Sequence, residues 1–164
     1  MHKTARFTPA TETALRTAGW QPGRRDMARA ETWADALRAH LSTGGHVHLV
    51  FPAAIEAWAE FGGLHITGEG PGRHIAPTPF TVDPVHGLHL ARTLGDLGQA
   101  LDTELCPLGA EQAHPAGPAG ALLAIDREGR VYSLDPTGDW FLGADLDQAL
   151  ETLVNGTLPG RLSS

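Results

Sequence analysis

Over the first third of the chain, apolar positions recur at steps of three and four, the spacing of one face of a helix. Ala14, Leu15 and Ala18 form such a stripe behind Thr8-Pro9. Thr8 suits a helix N-cap and Pro9 the first turn, where a missing amide hydrogen costs nothing. Gly19 closes this first helix, Trp20 is expected to fold back onto its stripe, and Gln21 to Arg25 reads as a turn. Met27, Ala30, Trp33, Ala34, Leu37 and Leu41 carry a second helix, capped by Asp26 and stopped by Ser42 to Gly45. Pro52 opens a third, with Ile55, Trp58 and Ala59 on one face. Gly62-Gly63 halts it, and Leu64 and Ile66 follow at once. This predicts a tight helix-to-sheet junction at which the backbone passes close to a neighbour.

Beyond residue 63 the helical period gives way to short strands. Leu64 to Thr67 and Phe80 to Asp83 are the first two, separated by a loop over 68–79 and ended by Pro84. Thr93 to Leu101 reads as a helix weakened by Gly95 and Gly98. Leu105 to Leu108 is extended, and Pro107 predicts a strand end or edge. Ala110 to Gly120 reads as a loop. Ala121 to Ile125 and Arg130 to Leu134 flank a polar turn ending in Gly129, the pattern of a hairpin. Trp140 to Leu142 adds a strand, and Ala144 to Val154 forms a closing helix with Leu146, Ala149, Leu150 and Leu153 on one face, stopped by Asn155-Gly156. No repeat of 20–50 residues is visible. The order predicts an α+β fold: N-terminal helices and a C-terminal helix packed around a mainly antiparallel curved sheet, against one of its faces. One domain over 1–164 is expected, with a core at about 7–156 and flexible termini.

Composition narrows the class. A chain of 164 residues, 41% hydrophobic and 19% charged, has the make-up of a soluble globular protein. The apolar run from Val47 to Ile55 is broken by His48 and Pro52 and is far short of the ~20 residues of a membrane span. Residues 1–20 lack the apolar centre of a signal peptide. Cys106 is the only cysteine, which excludes an internal disulfide and multi-cysteine zinc patterns and makes a reducing cytoplasm the expected compartment. Charge is uneven. Residues 1–82 hold eight Lys/Arg and seven Asp/Glu, a balance of +1, while residues 83–164 hold four and twelve, a balance of −8. An acidic half repels nucleic acid and attracts a basic protein. A solvated acidic surface is the plain alternative.

Catalytic patterns are mostly missing. Of nine histidines, His46-x-His48 and His86-x-x-His89 are the closest pairs, and neither has a third ligand at metal spacing. The pattern reads as scattered surface histidines, so no metal and no cofactor is expected. Cys106, between Leu105 and Pro107, reads as a buried thiol. No Gly-x-Ser-x-Gly elbow is present. The glycines at 68, 70 and 72 lack a following Gly-Lys-[Ser/Thr], and Pro71 removes an amide that a phosphate cradle needs. Asp126/Glu128 and Asp145/Asp147 fall on a turn and at a helix start, where acids serve local structure. The four tryptophans lie in or beside apolar stripes and read as core.

Several short motifs, in order, resemble one family. They are Thr8-Pro9 ahead of Ala18-Gly19-Trp20-x-Pro22-Gly23-Arg24, Phe51-Pro52-Ala53-Ala54 ahead of Glu60-Phe61-Gly62-Gly63-Leu64, Phe80-x-x-Asp83-Pro84, Cys106-Pro107-Leu108-Gly109, Ala124-Ile125-Asp126-x-x-Gly129-Arg130-Val131-Tyr132, and Trp140-Phe141-Leu142-Gly143 ahead of Asp147-x-Ala149-Leu150. Over about residues 7–156 the set resembles the SUKH superfamily, in its third subfamily of bacterial immunity proteins. Cys106 stands where that resemblance leads one to expect an aromatic residue, and reads as a packing substitution.

The resemblance implies the same α+β fold and a non-enzymatic role. That role is to bind and neutralise a toxin, often a nuclease or deaminase, of a polymorphic or contact-dependent system. It offers no catalytic residue to carry over, and the composition and spacing above leave no cofactor, metal, membrane or direct nucleic-acid contact expected. Trp20, Gly62, Gly63, Leu64, Pro107, Gly129 and Gly143 look architectural within it. Candidate partner-binding residues come from charge alone: Asp126, Glu128, Asp135, Asp139, Asp145 and Asp147, with Trp140 (or Phe141) as an aromatic anchor. An intracellular adaptor of the same fold and a small histidine-based metalloenzyme are the competing readings.

Overall fold

The computed structural model describes residues 6–41, 44–68, 70, 72–75, 77–111, 120–135, 138–157 and 159–162. The expectations for both chain ends and for most of the loop at 110–120 lie outside these residues.

Helix α1 (Pro9–Ala18) begins and ends where its cap residues predict. Gly19 takes a left-handed conformation at φ 115°, and the Trp20 amide returns to the Leu15 carbonyl at 2.9 Å. This folds Trp20 back, edge-on to Phe7 and stacked on Phe61. Thr8 does not cap its own helix. Its amide and hydroxyl both bond Glu151, at 2.7 and 2.8 Å, tying the chain start to the last helix. Helix α2 (Met27–Ala39) is capped by the Asp26 carboxylate, which accepts the Arg29 amide at 3.0 Å. It ends two residues before Leu41, which the apolar period had included. Leu41 instead points to solvent and bridges Val47.

Helix α3 (Pro52–Phe61) leads into the paired glycines. Gly63, not Gly62, takes the positive φ, at 81°. Gly62 is needed for space: a Cβ there would overlap the Trp58 carbonyl oxygen and the Trp33 ring. Gly63 N–H then bonds the Val82 carbonyl at 2.7 Å, and Val82 N–H bonds the Leu64 carbonyl at 3.0 Å, so the junction docks directly onto the sheet.

Among the described residues the sheet has seven strands in chain order, each antiparallel to the next: β1 (His65–Ile66), β2 (Phe80–Thr81), β3 (Leu105–Glu111), β4 (Leu122–Asp126), β5 (Val131–Asp135), β6 (Gly138–Gly143) and β7 (Gly160–Arg161). It is curved and unclosed, and with the five α-helices of the described residues the fold is α+β. A 3-10 turn (Pro84–Gly87) precedes α4 (Ala91–Leu101), and α5 (Leu146–Asn155) follows β6. No helix among the described residues is long and apolar enough to cross a membrane.

The helices are not confined to one face, as the sequence suggested. Cys106, Leu108, Leu123, Ile125, Val131 and Leu142 pack into the main core with residues of α1, α2, α3 and α5. Leu105, Leu122, Ala124 and Tyr132 form a second, smaller core with Leu94 of α4. Apolar residues at successive positions, as in Leu122-Leu123-Ala124-Ile125, are what a strand covered on both sides requires.

Pro107 lies inside an inner strand rather than at an edge of the sheet. It is tolerated because β2 reaches only Ala110 and Glu111, leaving β4 as the strand beside Pro107. The Trp58 indole takes the Pro107 carbonyl at 3.1 Å. The pairing with β4 shifts between Pro107 and Gly109, a bulge that inverts the alternation of faces along β3. Gly143 lies against the start of α5, where a Cβ would meet the Ala149 amide. Burial pushes the Cys106 thiol up to about 12, so it stays protonated and inert.

Candidate functional site

The acidic candidates do not form one cluster. The sheet separates them into two groups, at opposite ends of β5 and about 14 Å apart at roughly 3.4 Å per residue.

At the β4–β5 turn, Asp126 is fully buried. One carboxylate oxygen accepts the Glu128 and Arg130 amides, both at 2.9 Å. The other accepts Arg130 Nε at 2.7 Å and the Tyr132 hydroxyl at 3.0 Å. Burial, reinforced by the bond to Asp126, pushes the Tyr132 hydroxyl up to about 12. Gly129 turns the chain at φ 90° with its amide on the Asp126 carbonyl. Asp126 is thus the internal organiser of the hairpin. Glu128 is exposed, with Arg130 at 3.4 Å.

Asp145 caps α5 through the Gln148 amide at 2.8 Å, and the Gln148 side chain returns to the Ala144 amide at 3.2 Å. Asp147 is gripped by Arg6 through two bonds of 2.7 and 2.8 Å, while the same guanidinium holds Glu60 at 2.6 and 3.1 Å. These bonds raise the Arg6 pKa, with Asp147 first and Glu60 second. Glu60 also accepts the Trp20 indole at 3.0 Å. Arg24, Arg25 and Glu56 complete a groove at this end in which acids and arginines are matched.

At the other end of β5, where β6 begins, the picture differs. Asp135 and Trp140 face a cavity of about 220 Å³ together with Glu111 and Ser133. Ile75, Leu153 and Pro159 supply apolar walls from the preceding loop and the end of α5. Glu111 accepts the Ser133 hydroxyl at 2.9 Å. Burial raises its carboxyl pKa, the Ser133 bond opposes the rise, and the Asp135 charge adds to it. Asp139 pairs with Leu134, while Trp140 pairs with Ser133, so Asp139 lies on the opposite face from the cavity. Glu111 was missed because it fell in the expected loop. Simple alternation from Cys106 and Leu108 also puts it on the other face, and the bulge reverses this.

The histidines are less scattered than expected. His40, His48 and His89 come from three segments, with ring centres 4.9 Å apart for His40 and His89 and 6.3 Å for His40 and His48. His46 is exposed while His48 is buried, so the pair does not share a face. Among the described residues, no three His, Cys, Asp or Glu are arranged to hold a metal ion.

His48 Nε2 donates to the Leu88 carbonyl at 2.7 Å, and burial, with the His40 charge, lowers its pKa despite that bond. The folded state therefore takes up this proton less readily than the unfolded chain. Stability is unaffected above the unfolded value of about 6.5 and falls as pH drops below it. Thermal unfolding should show a larger loss between pH 7.5 and 5.5 in the native protein than in His48→Gln, which retains a donor for Leu88. Equal losses would refute this role.

The model of the SUKH-3 immunity protein family matches residues 7–156. No curated protein and no solved structure is significantly similar to the chain. With that match over most of its length, the chain belongs to the SUKH-3 immunity protein family.

Proposed function

We propose that this protein is a stoichiometric, non-enzymatic inhibitor. It binds and neutralises a basic toxin of nuclease or deaminase type, from a polymorphic or contact-dependent system, in the cytoplasm of the producing cell. Family membership supports the immunity role. The observation that carries the choice of a basic partner is the charge excess of the second half, twelve carboxylates against four arginines. Two of those arginines, Arg127 and Arg130, are already held by Glu104 and Asp126. An enzyme that grips phosphates presents a basic cleft, and carboxylates complement it, speeding encounter and excluding nucleic acid.

The contact surface proposed is the β5–β6 end of the sheet, with Asp135 and Trp140 at its centre and Asp139 on its rim. Glu128, Asp145 and Asp147 form an outlying acidic margin at the other end. Asp126 contributes through the hairpin alone. Co-expression with the toxin domain encoded by the adjacent upstream gene tests the reading. The native protein is expected to restore growth, and Asp135→Asn combined with Trp140→Ala to weaken protection in a folded protein. Growth arrest in the presence of the native protein would overturn it.

A further inference from the structure

The cavity between β5, β6 and the end of α5 contains a carboxylate that has no counter-ion among the described residues. Glu111 is partly buried, and among the described residues its carboxylate accepts one hydrogen bond, from the Ser133 hydroxyl at 2.9 Å. Among the described residues, no lysine, arginine or histidine lines the cavity and no cation pairs with Glu111. Setting a carboxylate among apolar walls without a counter-charge costs stability. A glutamine would accept the same Ser133 bond at no such cost. A charge kept at a cavity against the interest of the fold points to a cation arriving from outside.

The shape limits what that cation is. About 220 Å³ is below the usual range of small-molecule pockets, roughly 300–1,000 Å³, and suits one inserted side chain. The Trp140 ring forms part of the lining. It already sits under the Arg161 guanidinium at 5.7 Å, and Arg161 is not among the lining residues. An aromatic face beside carboxylates favours a planar guanidinium, which stacks and bonds in a fork, over a compact and strongly hydrated ammonium.

We propose that this cavity receives one arginine side chain of the toxin, its guanidinium bonded to Glu111, facing Asp135 and stacked on Trp140. This rests on the toxin-binding reading above, and its test is separable from it. The probe is N-acetyl-arginine methylamide, titrated into the full chain without toxin and followed by the Trp140 indole NMR signal, which Trp140→Phe identifies. A saturable shift is expected. The lysine analogue should bind about tenfold more weakly and the uncharged citrulline analogue should give no shift. Glu111→Gln should lose about tenfold in probe affinity while its melting temperature stays level or rises.

No saturable shift, an equal shift with citrulline, or Glu111→Gln that binds the probe normally would overturn the assignment. The toxin separates the two readings. Growth rescue with Glu111→Gln at undiminished toxin affinity would remove the arginine pocket and leave the inhibitor. Probe binding without any growth rescue would leave the pocket and remove the toxin.

Discussion

Asp126→Ala is expected to destabilise the protein by about 3 kcal/mol or more. The substitution removes four hydrogen bonds at once from a fully buried position. It strands the Tyr132 hydroxyl, which is inside the second core, and two turn amides. Arg130 suffers less, because its guanidinium reaches solvent. Asp126→Asn keeps an oxygen for the two amides but turns an NH2 group toward Arg130 and Tyr132. It should cost about 1–2 kcal/mol, and Tyr132→Phe about 1 kcal/mol. Urea unfolding followed by tryptophan fluorescence measures all three. An Asp126→Ala midpoint within error of the native value would show that the hairpin does not depend on this carboxylate.

Gly62→Ala should be the more damaging of two neighbouring substitutions, although Gly63 has the left-handed backbone. A methyl group at 62 meets the Trp58 carbonyl oxygen and the Trp33 ring, neither of which can retreat without moving α3 or α2. The expected cost is about 3 kcal/mol, the upper part of the overpacking range. At Gly63 the obstacle is the tip of the Arg29 side chain, at 2.5 Å from the added Cβ, and that tip can swing away. There the cost is the strained φ, about 1–2 kcal/mol. Paired urea melts of Gly62→Ala and Gly63→Ala give the order directly. The reverse order would mean that backbone conformation, not close approach, sets the junction.

The helices were legible because their caps and periods are local. Asp26, Pro52, Gly19 and Gly156 each act within a few residues of their own position. The period misled at Leu41, since one more apolar residue at the right spacing says nothing about where the chain leaves the helix. β1, β2 and β7 have two residues each, too few to carry an alternation. Pro107 read as an edge signal because proline constrains its own flanking strand, while the reach of β2 was not visible. The bulge beside Pro107 exchanged the faces of β3, which hid Glu111 from the site.

Asp126 looked like an exposed turn acid, because an Asp-x-x-Gly turn is the same in sequence whether its carboxylate faces water or the amides of its own hairpin. The Arg6 bridge to Glu60 and Asp147 spans 54 and 141 positions, a separation at which sequence spacing carries no information. Charge marked the second half as acidic, but folding decided which of its carboxylates are already paired within the protein.

The central claim is inhibition by binding, without turnover. Its most direct test is to titrate this protein into a fixed amount of the adjacent-gene toxin domain, at concentrations far above Kd, and to record residual toxin activity. The account predicts a straight decline that ends at one equivalent, with a stable 1:1 complex on a sizing column. Complete inactivation by a small fraction of an equivalent would reveal catalysis and contradict it, as would toxin activity unchanged at several equivalents.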